Sequence, residues 1–245
     1  PTPGAESTAA GRFNGKKLAL AFAMPSYDQV RIFYQTDIGF EWDGYRDLPI
    51  PADQVIAADL DGDGFDELIA VRNDFSSAAV YWGGPDGIQA ENSSMIPLPA
   101  FEEILQPRKC NSFESNTERK IQVFPQIRCI SVNGRNELVW CTGKKAVFFC
   151  AKNRTVKRVR EQDFDGAAFA CDEKQGIAAV AARPESFIIK ADGSTVTVST
   201  PQASDVAVSP NGIFFASNGS SMNYRCKTYQ CDVNGKILRC FEGED

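Results

Sequence analysis

The sequence predicts an all-β protein built from a repeated unit of about four short strands. Units with the same order of apolar strand, glycine-containing turn and alternating strand begin near residues 10, 57, 129, 167 and 206. Apart from one longer gap, the starts are roughly 38 to 47 residues apart, which is typical of the blades of a β-propeller. We therefore predict a single β-propeller domain over residues 1–245 with five four-stranded blades. The alternative is part of a six- or seven-bladed propeller.

The second unit, from Ala57 to Ile88, has the most informative loop. Short apolar runs at 55–58 and 68–71 are typical of buried strands. Between them, aspartates alternate over five residues and are followed by a glycine and more acid. Carboxylates this close repel one another unless a cation or protons neutralise them. Ca²⁺ binds six to eight oxygens on a loop bent by glycine, so we expect Ca²⁺ here.

Two kinds of calcium loop begin with this pattern. An EF-hand needs a glutamate at the twelfth position and a helix on each side, but the twelfth residue is Ala70 and both flanks are strand-like. A β-hairpin loop would instead offer ligands at alternate positions. The predicted metal ligands are Asp59, Asp61, Asp63, the carbonyl of Phe65, and Glu67. An acidic, solvated turn without metal is the alternative.

This loop resembles the FG-GAP/VCBS repeat of integrin-α-type β-propellers. Residues 59–67 match its pattern Asp-x-Asp-x-Asp-Gly-x-x-Asp/Glu, and the later stretch 80–87, VYWGGPDG, is similar to its strand-and-turn ending. The resemblance covers about thirty residues closely. It implies a structural calcium ion in a non-catalytic extracellular or cell-surface adhesion module.

The other units lack the triple carboxylate. In the first unit, Asn14 matches Asp61, but Arg12 and Lys16 stand where Asp59 and Asp63 would be. We expect Lys16 and Lys17 to take the place of the ion there electrostatically. Only the second unit is predicted to bind metal.

Composition excludes some partners. The net charge of −6 argues against nucleic acid as the main partner, and no apolar run is long enough to span a membrane. Because the sequence begins with Pro1 rather than Met, we expect a processed or excised chain.

Eight cysteines and no histidine favour disulfides over a zinc site. We expect most cysteines to pair, with Cys141–Cys150 across one hairpin and Cys110–Cys129 as candidates. Three N-glycosylation patterns begin at Asn92, Asn153 and Asn218. These features predict a secreted protein or an ectodomain.

Residues 95–126 form the long gap and are predicted to be an inserted loop. Its apolar residues Phe101, Ile104 and Leu105 have the spacing of one helical face. We expect this face either to cover the propeller or to contact a protein partner.

No catalytic group stands out, since a chain without histidine cannot form a Ser-His-Asp or Cys-His site. A five-bladed glycoside hydrolase would need paired carboxylates, for which Asp163, Asp165 and Asp205 are candidates. Trp42, Trp82 and Trp140 are expected to pack in the core rather than stack on sugars. The cationic run 152–160 is expected to be a charged edge strand rather than a site for an anionic polymer.

We therefore expect a non-catalytic binding module that recognises a protein partner. A glycan-binding lectin and a glycoside hydrolase are the alternatives.

Overall fold

A computed structural model describes most of the chain. The described residues form twenty β-strands and their connections. The described residues are 4–73, 78–98, 126–141, 145–163, 165–172, 175–183, 185–200, 203–217 and 227–242. The strands are β1 (Ser7–Gly11), β2 (Ala19–Met24), β3 (Gln29–Tyr34), β4 (Tyr45–Leu48), β5 (Gln54–Ala58), β6 (Glu67–Val71), β7 (Ala78–Tyr81), β8 (Ser93–Met95), β9 (Gln126–Val132), β10 (Arg135–Cys141), β11 (Lys145–Lys152), β12 (Thr155–Asp163), β13 (Asp165–Asp172), β14 (Ile177–Arg183), β15 (Ser186–Ile189), β16 (Thr195–Val198), β17 (Ala203–Ser209), β18 (Gly212–Ser217), β19 (Lys227–Cys231) and β20 (Ile237–Glu242).

The strands form five four-stranded antiparallel sheets, and each sheet uses four consecutive strands in chain order. This arrangement confirms the predicted β-propeller with five four-stranded blades. The blades begin at residues 7, 54, 126, 165 and 203, within a few positions of the predicted starts. A one-turn 3-10 helix, Pro25–Tyr27, connects β2 to β3.

The described chain divides into two compact units. The first unit comprises Pro1–Leu98, Arg135–Leu138 and Phe149–Val159, and the second comprises the rest. The predicted single domain over 1–245 stays a prediction.

The core of the first unit is formed by packing between small and branched side chains. In β2, the alternate residues Ala19, Ala21 and Ala23 are fully buried, because successive strand side chains point to opposite faces. These alanines share one apolar cluster with Val55 and Leu68 of the second blade. The core contains Phe13, Ala19, Ala21, Ala23, Val30, Ile32, Leu48, Ile50, Ala52, Val55, Leu68, Ala70 and Ile88.

The second unit has two apolar clusters of its own. β14 contributes to both, since Ala178 and Val180 pack in one cluster while Ala179 and Ala181 pack in the other. A strand that is buried on both faces has apolar side chains at consecutive positions, which explains the continuous apolar sequence of β14.

The predicted Cys141–Cys150 disulfide is wrong, because Cys150 has a free thiol. Cys141 ends β10 and Lys145 begins β11, so Cys150 lies five residues further along its strand. Five residues of strand extend about 16 Å, and a disulfide requires Cα atoms within about 7 Å. Cys231 and Cys240 are also free, whereas Cys110 and Cys226 lie outside the described residues.

Most of the predicted insertion also lies outside the described residues, including Phe101, Ile104 and Leu105. Its first part belongs to the second blade, where Met95 ends β8 and Ile96 is buried. No helix among the described residues is long and apolar enough to cross a membrane.

Candidate metal centre

The loop between β5 and β6 is bent by its own first carboxylate. Oδ1 of Asp59 accepts the N–H of Gly62 at 2.8 Å, and Oδ2 accepts the N–H of Gly64 at 3.1 Å. Gly62 and Gly64 have φ values of 80° and 89°, a region that side chains other than glycine rarely adopt. The two glycines therefore allow the backbone to bend sharply, and the Asp59 carboxylate stabilises the bend through its two hydrogen bonds.

Three carboxylates converge inside this loop. One oxygen from each of Asp59, Asp61 and Glu67 lies within 4.8 Å of the other two. Glu67 begins β6 opposite Ala58 at the end of β5, so the strand register brings it back to the start of the loop. Hairpin pairing thus turns an alternating sequence pattern into a cluster of oxygens.

Glu67 is the buried member of the cluster, with 1% of its surface exposed. Its Oε2 accepts the N–H of Leu60 at 2.6 Å. Burial, followed by the nearby charges of Asp61 and Asp59, raises the pKa of Glu67 to about 8. A carboxyl group in such a place binds either a proton or a cation at neutral pH.

Asp61 provides the clearest sign of a missing partner. Its Oδ1 atom is buried and makes no hydrogen bond. Burial, and then the charge of Asp63, raise the pKa of Asp61, while the Asp63 amide and Arg154 act in the opposite direction. Buried polar atoms are nearly always paired, so this oxygen requires an explanation.

The other two predicted ligands lie differently. Asp63 is exposed, is not part of the close group, and accepts the N–H of Phe65 at 2.9 Å through Oδ1. Phe65 is half-buried. The complete five-ligand set stays a prediction.

Backbone contacts hold the loop on one side. The N–H of Arg12 donates to Oδ2 of Asp66, and the N–H of Asp66 donates to the carbonyl of Arg12 at 3.3 Å. The N–H of Gly84 donates to the carbonyl of Phe13 at 3.0 Å. The second blade's loop is therefore fastened to the matching loop of the first blade.

A side chain from β10 holds the loop on the other side. Nδ2 of Asn136 donates to the carbonyl oxygen of Asp59 at 2.6 Å. Asn136 is not recognisable as a site residue from the sequence, because nothing in its local pattern distinguishes it from other polar residues after a turn.

The first-blade loop replaces the metal pattern with an amide. Oδ1 of Asn14 accepts the N–H groups of Lys16 and Lys17 at 3.2 and 3.1 Å. The expectation that these lysines act as a substitute charge is wrong for Lys17, whose Nζ pairs with Asp37 at 3.0 Å. The turn is closed by hydrogen bonds to Asn14 instead.

The other residues singled out by sequence differ in how far they are exposed. Trp82 and Trp140 are buried as predicted, but Trp42 is 70% exposed, because it lies in a turn outside the strands. Asp163 and Asp205 are exposed, and the side chain of Asp165 lies outside the described residues.

The cationic run lies largely on β12, which is an edge strand of its sheet, as predicted. Arg160 is used structurally: its guanidinium lies 3.9 Å from the Phe148 ring centroid and donates to the carbonyl of Gly193 at 2.8 Å.

The donors fit a hard cation. Carboxylate oxygens on a glycine-bent loop suit Ca²⁺, and neither histidine nor cysteine occurs in the loop to favour zinc. In the described part of the chain, Asp59, Asp61 and Glu67 are the group of close acidic side chains that could hold a metal ion.

Comparison with known proteins supports the fold. No protein-family model matches the chain, and no curated protein matches it. The chain is similar to the Dos1 propeller, with a TM-score of 0.57 and 11% identity over 98% of this chain and 58% of that chain. It is also similar to a protein from Lactobacillus plantarum, with a TM-score of 0.56 and 9% identity over 97% and 70% of the two chains.

A third similar structure is Hsv2 from Kluyveromyces marxianus, with a TM-score of 0.53 and 10% identity over 97% of this chain and 61% of that chain. The chain thus spans 58% to 70% of the lengths of these three structures. At these identities the likeness shows the fold alone.

Proposed function

We propose that the chain is a non-catalytic binding module of the FG-GAP/VCBS type, with a structural calcium ion in the β5–β6 loop of its second blade. In this proposal, Asp59, Asp61 and Glu67 bind the ion, with Asp63 and the Phe65 carbonyl as further ligands. The blades hold the binding surface in a fixed arrangement, and the module acts on the outside of the cell. A protein partner is the preferred ligand class.

The observation that carries the metal site is the buried, unpaired Oδ1 of Asp61 beside Asp59 and Glu67. Leaving a buried acceptor without a partner costs about 1–3 kcal/mol, and more when it is charged. A divalent cation gives this oxygen a ligand bond and neutralises the repulsion within the cluster. Protonating Glu67 would relieve part of the repulsion but would leave the charges of Asp59 and Asp61 side by side.

Calcium is preferred over magnesium because the loop can offer several protein oxygens around one point. Mg²⁺ prefers regular octahedral geometry and retains several waters, whereas Ca²⁺ accepts irregular arrangements of protein oxygens. The glycines at 62 and 64 allow the loop to adjust around the larger ion.

Thermal unfolding with and without calcium tests this proposal. A ligand at about one hundred times its Kd stabilises the folded state by about 2.7 kcal/mol, or roughly 5 to 10 °C in Tm for a chain of this size. We expect Asp61→Ala to abolish the calcium-dependent shift and not to lower Tm in chelator, because the change removes an oxygen that makes no hydrogen bond there. Asp86→Ala, which removes an exposed carboxylate from a turn of the same blade, should keep the full shift. Equal destabilisation of Asp61→Ala with calcium and with chelator would contradict a metal role.

A further inference from the structure

Exposed apolar side chains are concentrated in the first blade. Of the twelve large apolar side chains that are exposed in the described chain, six lie between Leu18 and Tyr45. Ile38 is 88% exposed, Trp42 is 70% exposed and Phe40 is 40% exposed, and all three belong to the segment between β3 and β4. A group of such residues is a mark of an interaction site, whereas single exposed apolar residues are normal. We refer to residues 36–45 as the aromatic loop.

Two tight turns give the aromatic loop a defined shape. Thr36 and Gly39 exchange backbone hydrogen bonds of 2.6 and 3.2 Å, and the Thr36 hydroxyl donates to the Gly39 carbonyl at 2.9 Å. A second turn is closed by the N–H of Gly44, which donates to the carbonyl of Glu41 at 3.3 Å. Preorganised side chains lose less entropy on binding than mobile ones.

Each turn presents one acidic and one apolar residue at its apex. The central residues are Asp37 and Ile38 in the first turn, and Trp42 and Asp43 in the second. Glu41 and Asp43 are exposed and form no ion pair among the described residues. The loop therefore combines apolar surface with uncompensated negative charge.

The base of the loop is a packed aromatic row. The Tyr45 ring lies 5.6 Å from the Phe33 ring, which contacts Phe22 edge-to-face at 5.7 Å. The Arg31 guanidinium lies 3.8 Å from the Tyr45 centroid and forms a bidentate pair with Asp47 at 2.7 and 2.8 Å. Arg31 is thus already paired within the protein, whereas Arg46, which follows the loop, donates to the Ile88 carbonyl and to the Gln89 amide oxygen rather than to an acid. Within residues 36–45 themselves, the unpaired charges of Glu41 and Asp43 are both negative.

We infer that the aromatic loop is a docking surface for a basic, apolar segment of another protein. Leucine-like side chains of that segment would pack on Ile38, Phe40 and Trp42, and its lysine or arginine side chains would pair with Glu41 and Asp43. Such charge complementarity accelerates association and selects the partner. The same negative charge disfavours an anionic membrane or a sulfated glycan. Ile38, the most exposed of the group, has no ring for a sugar to stack on, which favours a protein over a neutral glycan.

This inference rests on the proposed binding role and not on the calcium ion, so the two can fail separately. The insertion at 95–126 is the competing contact surface. A chain in which residues 99–120 are replaced by a Gly-Ser linker can be compared in the same experiment.

Tryptophan fluorescence provides a built-in reporter. Trp42 is exposed, whereas Trp82 and Trp140 are buried, so acrylamide quenching reports mainly on the aromatic loop. The probes are a peptide of repeated Lys-Leu-Ser, matched peptides with Glu for Lys or Gly for Leu, and a panel of neutral oligosaccharides. We expect the Lys-Leu-Ser peptide alone to bind and to protect Trp42 from acrylamide.

Variants of the loop separate its apolar and charged contributions. We expect Trp42→Ala and Ile38→Ser each to weaken peptide binding by on the order of tenfold, as for central contact residues. The double variant Glu41→Gln, Asp43→Asn should weaken it several-fold at low salt and little at high salt. Tyr27→Ser, which changes an exposed aromatic residue outside the loop, should bind as the native chain does. The linker chain should also bind unchanged.

Four results would overturn the inference. These are no binding of the Lys-Leu-Ser peptide, equal binding of the Glu-containing peptide, full binding by a folded Trp42→Ala variant, and Trp42-dependent binding of a neutral oligosaccharide. Cooperative thermal melting in chelator, recorded on the same samples, shows whether each variant is folded, and the additional shift in calcium reports on the metal site. It also keeps a failure of this surface distinct from a failure of the metal site.

Discussion

At the residue scale, Glu67 shows how a fold changes the chemistry of one side chain. In the sequence it is the last acid of an exposed-looking run, yet in the structure it is buried and has a pKa of about 8. The cause is the β5–β6 register, which places Glu67 opposite Ala58 at the end of a buried strand. Burial at this level could not be predicted from the residue type, because charged residues are almost never buried unless paired.

The raised pKa of Glu67 predicts a pH dependence of the metal-free protein. The folded-state pKa is about 8 and the ordinary value is 4.5. Between these values the folded state binds more protons than the unfolded state, so stability falls as pH rises. The contribution is fully present below pH 4.5 and is lost as pH passes through about 8. The free energy of unfolding by urea in chelator should therefore fall over this range.

The control for this prediction is Glu67→Gln, which keeps the shape of the side chain and cannot ionise. Subtracting the pH profile of the variant from that of the native chain removes the contributions of all other groups. We expect the difference to slope downward between about pH 4.5 and about pH 8. Parallel profiles would contradict the raised pKa.

At the element scale, the metal loop depends on contacts from outside the second blade. Asn136 on β10 donates to the Asp59 carbonyl at 2.6 Å, and Arg12 after β1 exchanges hydrogen bonds with Asp66. The acidic pattern predicts the loop, the strands on each side and their pairing, because all of these are local. It does not predict Asn136, because that contact spans 77 residues and depends on how successive sheets pack.

Removing the Asn136 amide should weaken calcium binding without unfolding the blade. A hydrogen bond of this kind contributes about 0.5–1.5 kcal/mol, so Asn136→Ala should reduce calcium affinity by several-fold. Arg135→Ala changes an exposed neighbour on the same hairpin and should leave affinity unchanged. Titration calorimetry with calcium measures both, and equal affinity of Asn136→Ala and the native chain would rule out this supporting role.

The turn after β7 is predicted to tolerate no side chain at Gly83. A Cβ added there would lie 2.5 Å from the Asp66 carbonyl oxygen, 2.9 Å from the Phe65 Cβ and 3.1 Å from the Phe13 carbonyl oxygen. Backbone atoms cannot move aside easily, so Gly83→Ala should cost about 1–3 kcal/mol of stability.

Gly84 provides the matched control for this turn, because a Cβ there would meet no atom within 4 Å. Gly84→Ala should leave the urea midpoint close to that of the native chain. If both alanine variants unfold at the same urea concentration, the close packing around Gly83 does not prevent a side chain from fitting there, and the prediction is wrong.

At the scale of the whole molecule, the period of the repeat was sufficient to predict the five blades and their starting positions. A period of about 40 residues is a global property of the sequence, so it survives the loss of any single motif. Cysteine pairing could not be predicted in the same way. It depends on distances between strands, and Cys150 shows that two cysteines in one hairpin can lie far apart along it.

Thiol titration tests the cysteine assignment. Cys150, Cys231 and Cys240 are free, so we expect the denatured, unreduced chain to react with at least three equivalents of a thiol reagent. Tryptic mapping of the labelled chain should locate the label on these three cysteines. A titre below three would contradict the structure, and it would strengthen the expectation of a disulfide-bonded extracellular protein.

Equilibrium dialysis against radioactive calcium tests the central claim most directly. We expect one calcium ion per native chain and per Asp86→Ala chain, and none for Asp61→Ala, because the buried Asp61 oxygen makes no hydrogen bond and the ion would supply its partner. Magnesium at the same concentration as calcium should not displace the calcium ion. A native chain that binds no calcium, or an Asp61→Ala chain that binds as much as the native one, would contradict the account.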